Sequence, residues 1–108
     1  EELVDRIGFD MIRGVTVSAI GFYGPQGRYV RLPLSDPDMN AKIESFRYGK
    51  YAITNYEMES SAVAGLSKLM GHKAMTVCLI IANRITLDSK SDYKGSIEEL
   101  IKTVLDRI

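Results

Sequence analysis

The chain has no tryptophan, one cysteine, one histidine and three prolines, and its fourteen basic residues are cancelled by fourteen acidic ones. Each scarcity removes a class of function. A single cysteine, Cys78, makes no internal disulfide, so nothing marks a stapled secreted domain. One His and one Cys are too few for a zinc-type ligand set, and no metal is expected. A net charge of zero, with basic residues scattered rather than clustered, offers no field for nucleic acid or an anionic membrane. The longest apolar run, Ala74 to Ala82, is broken by Thr76. It is about half the ~20 residues a membrane-spanning helix needs, and no secretory h-region opens the chain. The expectation is a cytoplasmic protein that engages neither nucleic acid nor membrane.

What is present is ordinary for a folded interior. A hydrophobic share of 45% is too rich for a disordered tail, and 108 residues allow one small domain. No repeat, low-complexity stretch or linker appears. The opening Glu1-Glu2-Leu3-Val4-Asp5-Arg6-Ile7 reads as the middle of something, so a fragment of a longer chain is expected.

Leu3, Ile7 and Met11 are spaced like an amphipathic helix that ends before Gly14. Val15 to Ile20 is β-branched and predicts a strand, running into the glycine-rich loop Gly21-Phe22-Tyr23-Gly24-Pro25-Gln26-Gly27-Arg28. Asp36-Pro37-Asp38 starts a helix with Met39, Ile43 and Phe46 on one face and Gly49 as its stop. Tyr51 to Thr54 predicts a short strand, and Thr54 with Glu57 has the spacing of a capping box. Behind it Met58, Ala62, Leu66 and Leu69 form a helical face closed by Gly71. Ala74 to Ala82 predicts a strand buried on both faces. Ser96 is expected to cap a last helix with Ile97, Leu100, Ile101, Val104 and Leu105 inward. Strands alternating with helices imply an α/β layered sheet. A third strand buried on both faces needs neighbours on both sides, so the chain is expected to be incomplete for its own fold.

Ligands of open α/β sheets bind outside the carboxyl ends of the strands. The three predicted ends lead to Gln26 and Arg28, to Glu57 and Glu59, and to Asn83 and Arg84. Each group also has a plain structural reading. Gly21, Gly24 and Gly27 fit neither the dinucleotide fingerprint nor a P-loop and can form a simple polar turn. Glu57 can serve a cap and the helix dipole, Met58 can be core, His72 follows a helix end, and Cys78 suits packing. Against the plain readings, an aromatic beside a Gln and an Arg suits a flat heterocycle. Gln donates and accepts at once, as the imide edge of a pyrimidine requires, and Arg adds fixed charge. A carboxylate such as Glu59 accepts two hydroxyls, a common sugar contact.

At Phe22-Tyr23-Gly24-Pro25-Gln26-Gly27-Arg28, Asn55-Tyr56-Glu57-Met58-Glu59 and Ile80-Ile81-Ala82-Asn83-Arg84, the chain resembles the uridine phosphorylases of the nucleoside phosphorylase superfamily. The resemblance spans nearly the whole chain. It implies an α/β fold with a layered mixed sheet and flanking helices, of which residues 1–108 are the C-terminal portion. It also implies that Gln26 and Arg28 bind the uracil edge, that Phe22 packs against the base, and that Ile81 and Ala82 line the pocket. Arg84 is the implied second arginine on the base. Glu57, Met58 and Glu59 are the implied ribose segment, with Met58 against the sugar and Glu59 on its hydroxyls. Arg28, Glu59 and Arg84 are the expected catalytic residues. Gly27, where other branches carry a larger residue, makes a more flexible loop the expectation.

The implied reaction is reversible phosphorolysis of uridine to uracil and ribose 1-phosphate. Inorganic phosphate is the co-substrate and there is no cofactor. Purine-specific relatives typically carry an Asp after the third strand to serve N7, where this chain has Asn83-Arg84, so a pyrimidine is expected. The family's phosphate-binding motifs are not recognisable in these residues, and the segment is expected to be inactive alone. The implied assembly is a homo-oligomer of dimers with shared sites, often built into hexamers. A non-catalytic nucleoside- or protein-binding domain, and a purine phosphorylase or nucleosidase, stay open as alternatives.

Overall fold

A computed structural model describes residues 1–84 and 86–108. In chain order the elements are α1 (Glu2–Ile7), β1 (Val15–Ser18), a 3-10 turn (Gly24–Gln26), α2 (Met39–Ser45), β2 (Arg47–Tyr48), β3 (Tyr51–Glu57), α3 (Ser60–Leu69) and α4 (Lys94–Leu105). They fall into two compact units, Ile12–Ala74 and Glu1–Met11 with Met75–Ile108.

The unit Ile12–Ala74 holds a mixed sheet in the order β1-β3-β2. β1 runs parallel to β3, and β2 antiparallel to it. The chain is thus α/β with a mixed sheet and flanking helices. Tyr, Ile and Thr favour the pleated conformation of β3. Its register against β1 steps from Val15↔Ile53 to Thr16↔Asn55, so Thr54 is an extra residue in a bulge. The bulge explains Gly14, where a Cβ would lie 2.2 Å from the Thr54 side chain. Past it, the Thr16 hydroxyl donates to Asn55 Oδ1 at 2.9 Å, and the two parallel strands end together with Ser18 opposite Glu57.

Several boundaries differ from the sequence reading. Gly49 does not stop α2, which ends at Ser45 with Phe46 already extended. Instead Gly49, with φ 58°, and Lys50 form the two-residue turn of a β2–β3 hairpin, where a glycine in the first position matches strand twist. The capping box at Thr54 does not form either, because β3 continues to Glu57 and α3 begins only at Ser60. Met58 therefore precedes the helix. The apolar positions of α3 are open, with Leu66 59% and Leu69 85% exposed, while Gly71 takes the expected left-handed conformation after its end.

In the other unit, Ile7 is 4% exposed and closes α1. The end of α4 is tied back to it. Arg107 makes a bidentate pair with Asp10 at 2.6 and 2.8 Å and donates to the Ile7 carbonyl at 2.7 Å. Its guanidinium also lies 4.6 Å from the centre of the Phe9 ring. α4 starts at Lys94 with Tyr93 as its N-cap residue, so Ser96 lies inside the first turn. Ile97, Leu100 and Val104 are half-buried as expected, whereas Ile101 and Leu105 are 53% and 64% exposed. Ala74 to Ala82 forms no strand. Among the described residues its one β-bridge is Ala82↔Ser89, and Ile80 is 56% exposed. A strand is completed by its neighbours, and among the described residues no strand of the sheet pairs with this run. No helix among the described residues is long and apolar enough to cross a membrane.

Candidate functional site

β1 and β3 leave the sheet at one edge, and each hands over directly to a segment rich in polar groups. After β1 the chain turns on the carbonyl of Tyr23, which accepts from the N–H of Gln26 at 3.1 Å and of Arg28 at 3.0 Å. Pro25 favours the 3-10 turn between them, and Gly27 ends it in the left-handed region with φ 71°. This folding buries the Gln26 side chain, which is only 5% exposed. A buried amide requires partners. Arg28 Nη1 supplies one, donating to Gln26 Oε1 at 2.8 Å and also to the Phe22 carbonyl. The guanidinium carbon sits 3.8 Å from the Phe22 ring centre, a cation–π contact of about 0.5–2 kcal/mol. Tyr23 meets Phe22 edge-on at 5.2 Å. An amide, a fixed positive charge and an aromatic face are therefore joined within one turn.

Gly27 does not loosen this loop. A Cβ there would lie 2.0 Å from Asn40 Oδ1, and Asn40 Nδ2 donates to the Gly27 carbonyl at 2.9 Å. The expectation of a more flexible loop gives way to a glycine required by a left-handed turn packed against a neighbouring side chain.

After β3 the turn into α3 is organised by Glu57. Its carboxylate accepts from the N–H of Glu59 at 2.7 Å and of Ser60 at 2.6 Å, and from the Ser60 hydroxyl. Desolvation raises this carboxyl, but the Ser60 hydroxyl, the two N–H groups and Ser18 outweigh it and bring the pKa down to about 2. Ser18 Oγ also accepts from the N–H of Ser61 at 3.3 Å. The first turn of α3 is thus held from both parallel strands. Met58 and Glu59 lie exposed on the turn itself, and Glu59 Oε2 accepts from the Met58 N–H at 3.3 Å. Glu59 can present oxygen to an incoming hydroxyl, while Glu57 is engaged by its own chain.

Ile81, Ala82 and Arg84 belong to the other unit. There the N–H of Lys90 donates to the Ile81 carbonyl and that of Asn83 to the Asp88 carbonyl, both at 2.7 Å. These bonds flank the Ala82↔Ser89 bridge, and an open cleft lies against Ile80, Ile81, Ala82 and Lys90. Arg84 is half-buried in the loop that follows. The residues that sequence reading passed over are Asn40, Ser18 and Ser60. Ser60 carries a weak signal, because small hydroxyl residues favour helix starts, while Ser18 ends a strand and carries none. Asn40 carries none, lying thirteen positions from its partner.

Parallel strands ending beside an amide–guanidinium–aromatic cluster and a capped carboxylate turn give an open α/β sheet with polar groups gathered at its strand ends. Residues 1–107 match the Phosphorylase superfamily, and the chain belongs to that family. It is 31% identical over 91 residues to the uridine phosphorylase of Thermococcus kodakarensis, an alignment covering 79% of this chain and 30% of that protein. The chain therefore spans about a third of that relative's length. No solved structure matches it.

Proposed function

We propose that these residues are the base- and ribose-recognising portion of a uridine phosphorylase, a pentosyltransferase converting uridine and phosphate into uracil and ribose 1-phosphate. The observation that carries the reading is the Phe22–Gln26–Arg28 cluster, with Arg28 donating to Gln26 at 2.8 Å above the Phe22 ring. The imide edge of uracil offers one N–H between two carbonyls. A side-chain amide that donates and accepts, beside a guanidinium, complements it. Membership of the family and a relative named as this enzyme add support.

In the reaction a phosphate oxygen bonds to C1′ as the C1′–N1 bond breaks, and the electron pair passes to the base, which leaves as an anion and takes up a proton. Arg28, Gln26 and Arg84 stabilise that charge, each donor being worth about 3–4 kcal/mol where water is excluded. Glu59 accepts the ribose hydroxyls and fixes C1′ for attack, with Met58 against the sugar and Ile81 and Ala82 lining the base pocket. Glu57, expected among the ribose contacts, acts by holding the turn that carries Glu59. Phosphate is the co-substrate and no cofactor takes part. The phosphate-binding residues come from chain beyond this C-terminal portion and from a partner subunit in a dimer-based, cytoplasmic homo-oligomer. The open apolar positions Leu66 and Leu69 of α3 fit a segment that folds against more of the same protein.

Phosphate-dependent release of uracil from uridine by the full-length protein tests this, with Arg28→Ala and Glu59→Gln measured beside it. Activity lost in both folded variants supports the assignment. Release of a purine base instead, or release that ignores phosphate, replaces it with a purine phosphorylase or a nucleosidase. Binding of nucleoside without turnover replaces it with a non-catalytic domain.

A further inference from the structure

We propose that Asn40 is a positioning residue that holds Gln26 and Arg28 in their base-reading pose, a role that rests on the base-recognition reading above. Gly27 O and Arg28 N belong to one peptide unit, and that unit is gripped at both ends. Its carbonyl accepts from Asn40 Nδ2 at 2.9 Å, and its N–H donates to the Tyr23 carbonyl at 3.0 Å. The preceding N–H, of Gly27, is spent on the Gly24 carbonyl at 2.8 Å. A glycine at φ 71° is the residue most free to rotate its flanking peptides, so the Asn40 amide removes the freedom that Gly27 brings. The two side chains on either side of Gly27 are Gln26 and Arg28, themselves bonded at 2.8 Å.

Asn40 lies in the first turn of α2; just ahead of that helix the Asp36 carboxylate accepts from the Asp38 N–H at 3.1 Å and from Lys42 Nζ, one turn into the helix, at 2.7 Å. α2 therefore acts as a strut whose one projecting amide reaches the loop. Its amide bonds the Gly27 backbone, so it acts through Gln26 and Arg28. The base, not phosphate, is the substrate it should affect.

The test is steady-state kinetics of the full-length protein with uridine and phosphate varied separately, for Asn40→Ala, Asn40→Asp and Arg28→Ala, together with melting temperatures. Removing one hydrogen bond is expected to raise the uridine KM about fivefold in Asn40→Ala. Asn40→Asp keeps the shape but sets a carboxylate against the Gly27 carbonyl, and is expected to raise it further. The phosphate KM and the melting temperature should stay near wild type in both. Two outcomes overturn the proposal alone: Arg28→Ala raises the uridine KM while the Asn40 variants do not, or the Asn40 variants lower the melting temperature and shift both KM values together. An Arg28→Ala variant that leaves the uridine KM unchanged removes the base-recognition reading, and the role of Asn40 with it.

Discussion

Glu57 offers a quantitative test of how the turn into α3 is built. Its carboxyl titrates at about 2 in the folded chain against an ordinary 4.5, so the folded state favours the charged form. Such a group contributes stability that is fully present above about pH 4.5 and is lost as pH falls toward 2. At about 1.4 kcal/mol per pH unit, that span sets a ceiling of about 3 kcal/mol. The carboxylate is only half-buried, and solvent screening at such a position reduces the expected contribution to about 1–2 kcal/mol. Glu57→Gln keeps an acceptor for the N–H groups of Glu59 and Ser60 but removes the charge. Urea denaturation of the full-length protein and this variant, repeated from pH 7 to pH 3, should show a gap of about 1–2 kcal/mol that is flat down to pH 5 and then narrows. Because Glu59 rides on the same turn, the variant should also raise the uridine KM at pH 7. A gap that keeps its size across the whole pH range would refute the reasoning, because the charge would then have no part in the cap.

Other positions give shorter tests. Arg28→Lys keeps the charge but loses the planar donor set that meets Gln26 and Phe22, and should lower kcat/KM on uridine by about tenfold or more, read by uracil release. Gly27→Ala forces a side chain into the left-handed region against Asn40 and should cost at least about 1 kcal/mol of stability, visible in denaturant melts. Gly14→Ala should destabilise through its 2.2 Å approach to Thr54, and Thr54→Gly in the same chain should recover much of the loss. Arg107→Ala breaks the pair with Asp10, whose carboxyl the Arg107 hydrogen bonds hold below its ordinary value. Wild-type melting temperature should therefore exceed that of the variant above about pH 4, with the difference shrinking in acid and at high salt.

The fold class was legible because the alternation of β-branched and amphipathic segments reports layer architecture directly. β1, α2 and α3 were legible as element types, and the Gln26–Arg28 loop as a polar turn at a strand end. The hairpin at Gly49 was missed because a glycine after a helical pattern serves equally as helix stop or hairpin turn. Only the pairing of Tyr48 with Tyr51 distinguishes them. The capping box failed for a related reason: Thr54 has a better role in the bulge of β3 than at a helix start. Ala74 to Ala82 shows the limit of composition most clearly. An apolar run signals the wish to be buried, but whether it becomes a strand depends on partners that lie elsewhere in sequence.

The same contrast explains why the candidate site is ordered in a chain with many open apolar positions. Electrostatic stabilisation of a leaving anion requires dipoles fixed before the reaction begins, because reorienting them during it consumes the gain. The sequence places two flexible features next to the groups concerned, a left-handed glycine beside Gln26 and Arg28 and a strand-to-helix turn beneath Glu59. Each is then immobilised by short polar contacts, Asn40 on the Gly27 carbonyl and Glu57 on the N–H groups of Glu59 and Ser60. These contacts depend on local geometry and the sheet edge, not on a deep hydrophobic core. A site fixed in this way keeps its shape even where α3 leaves Leu66 and Leu69 exposed. Substitution of Asn40 should therefore disturb the Gln26–Arg28 pair and substitution of Glu57 the turn beneath Glu59, whereas substitution of the exposed Leu66 or Leu69 should leave both in place.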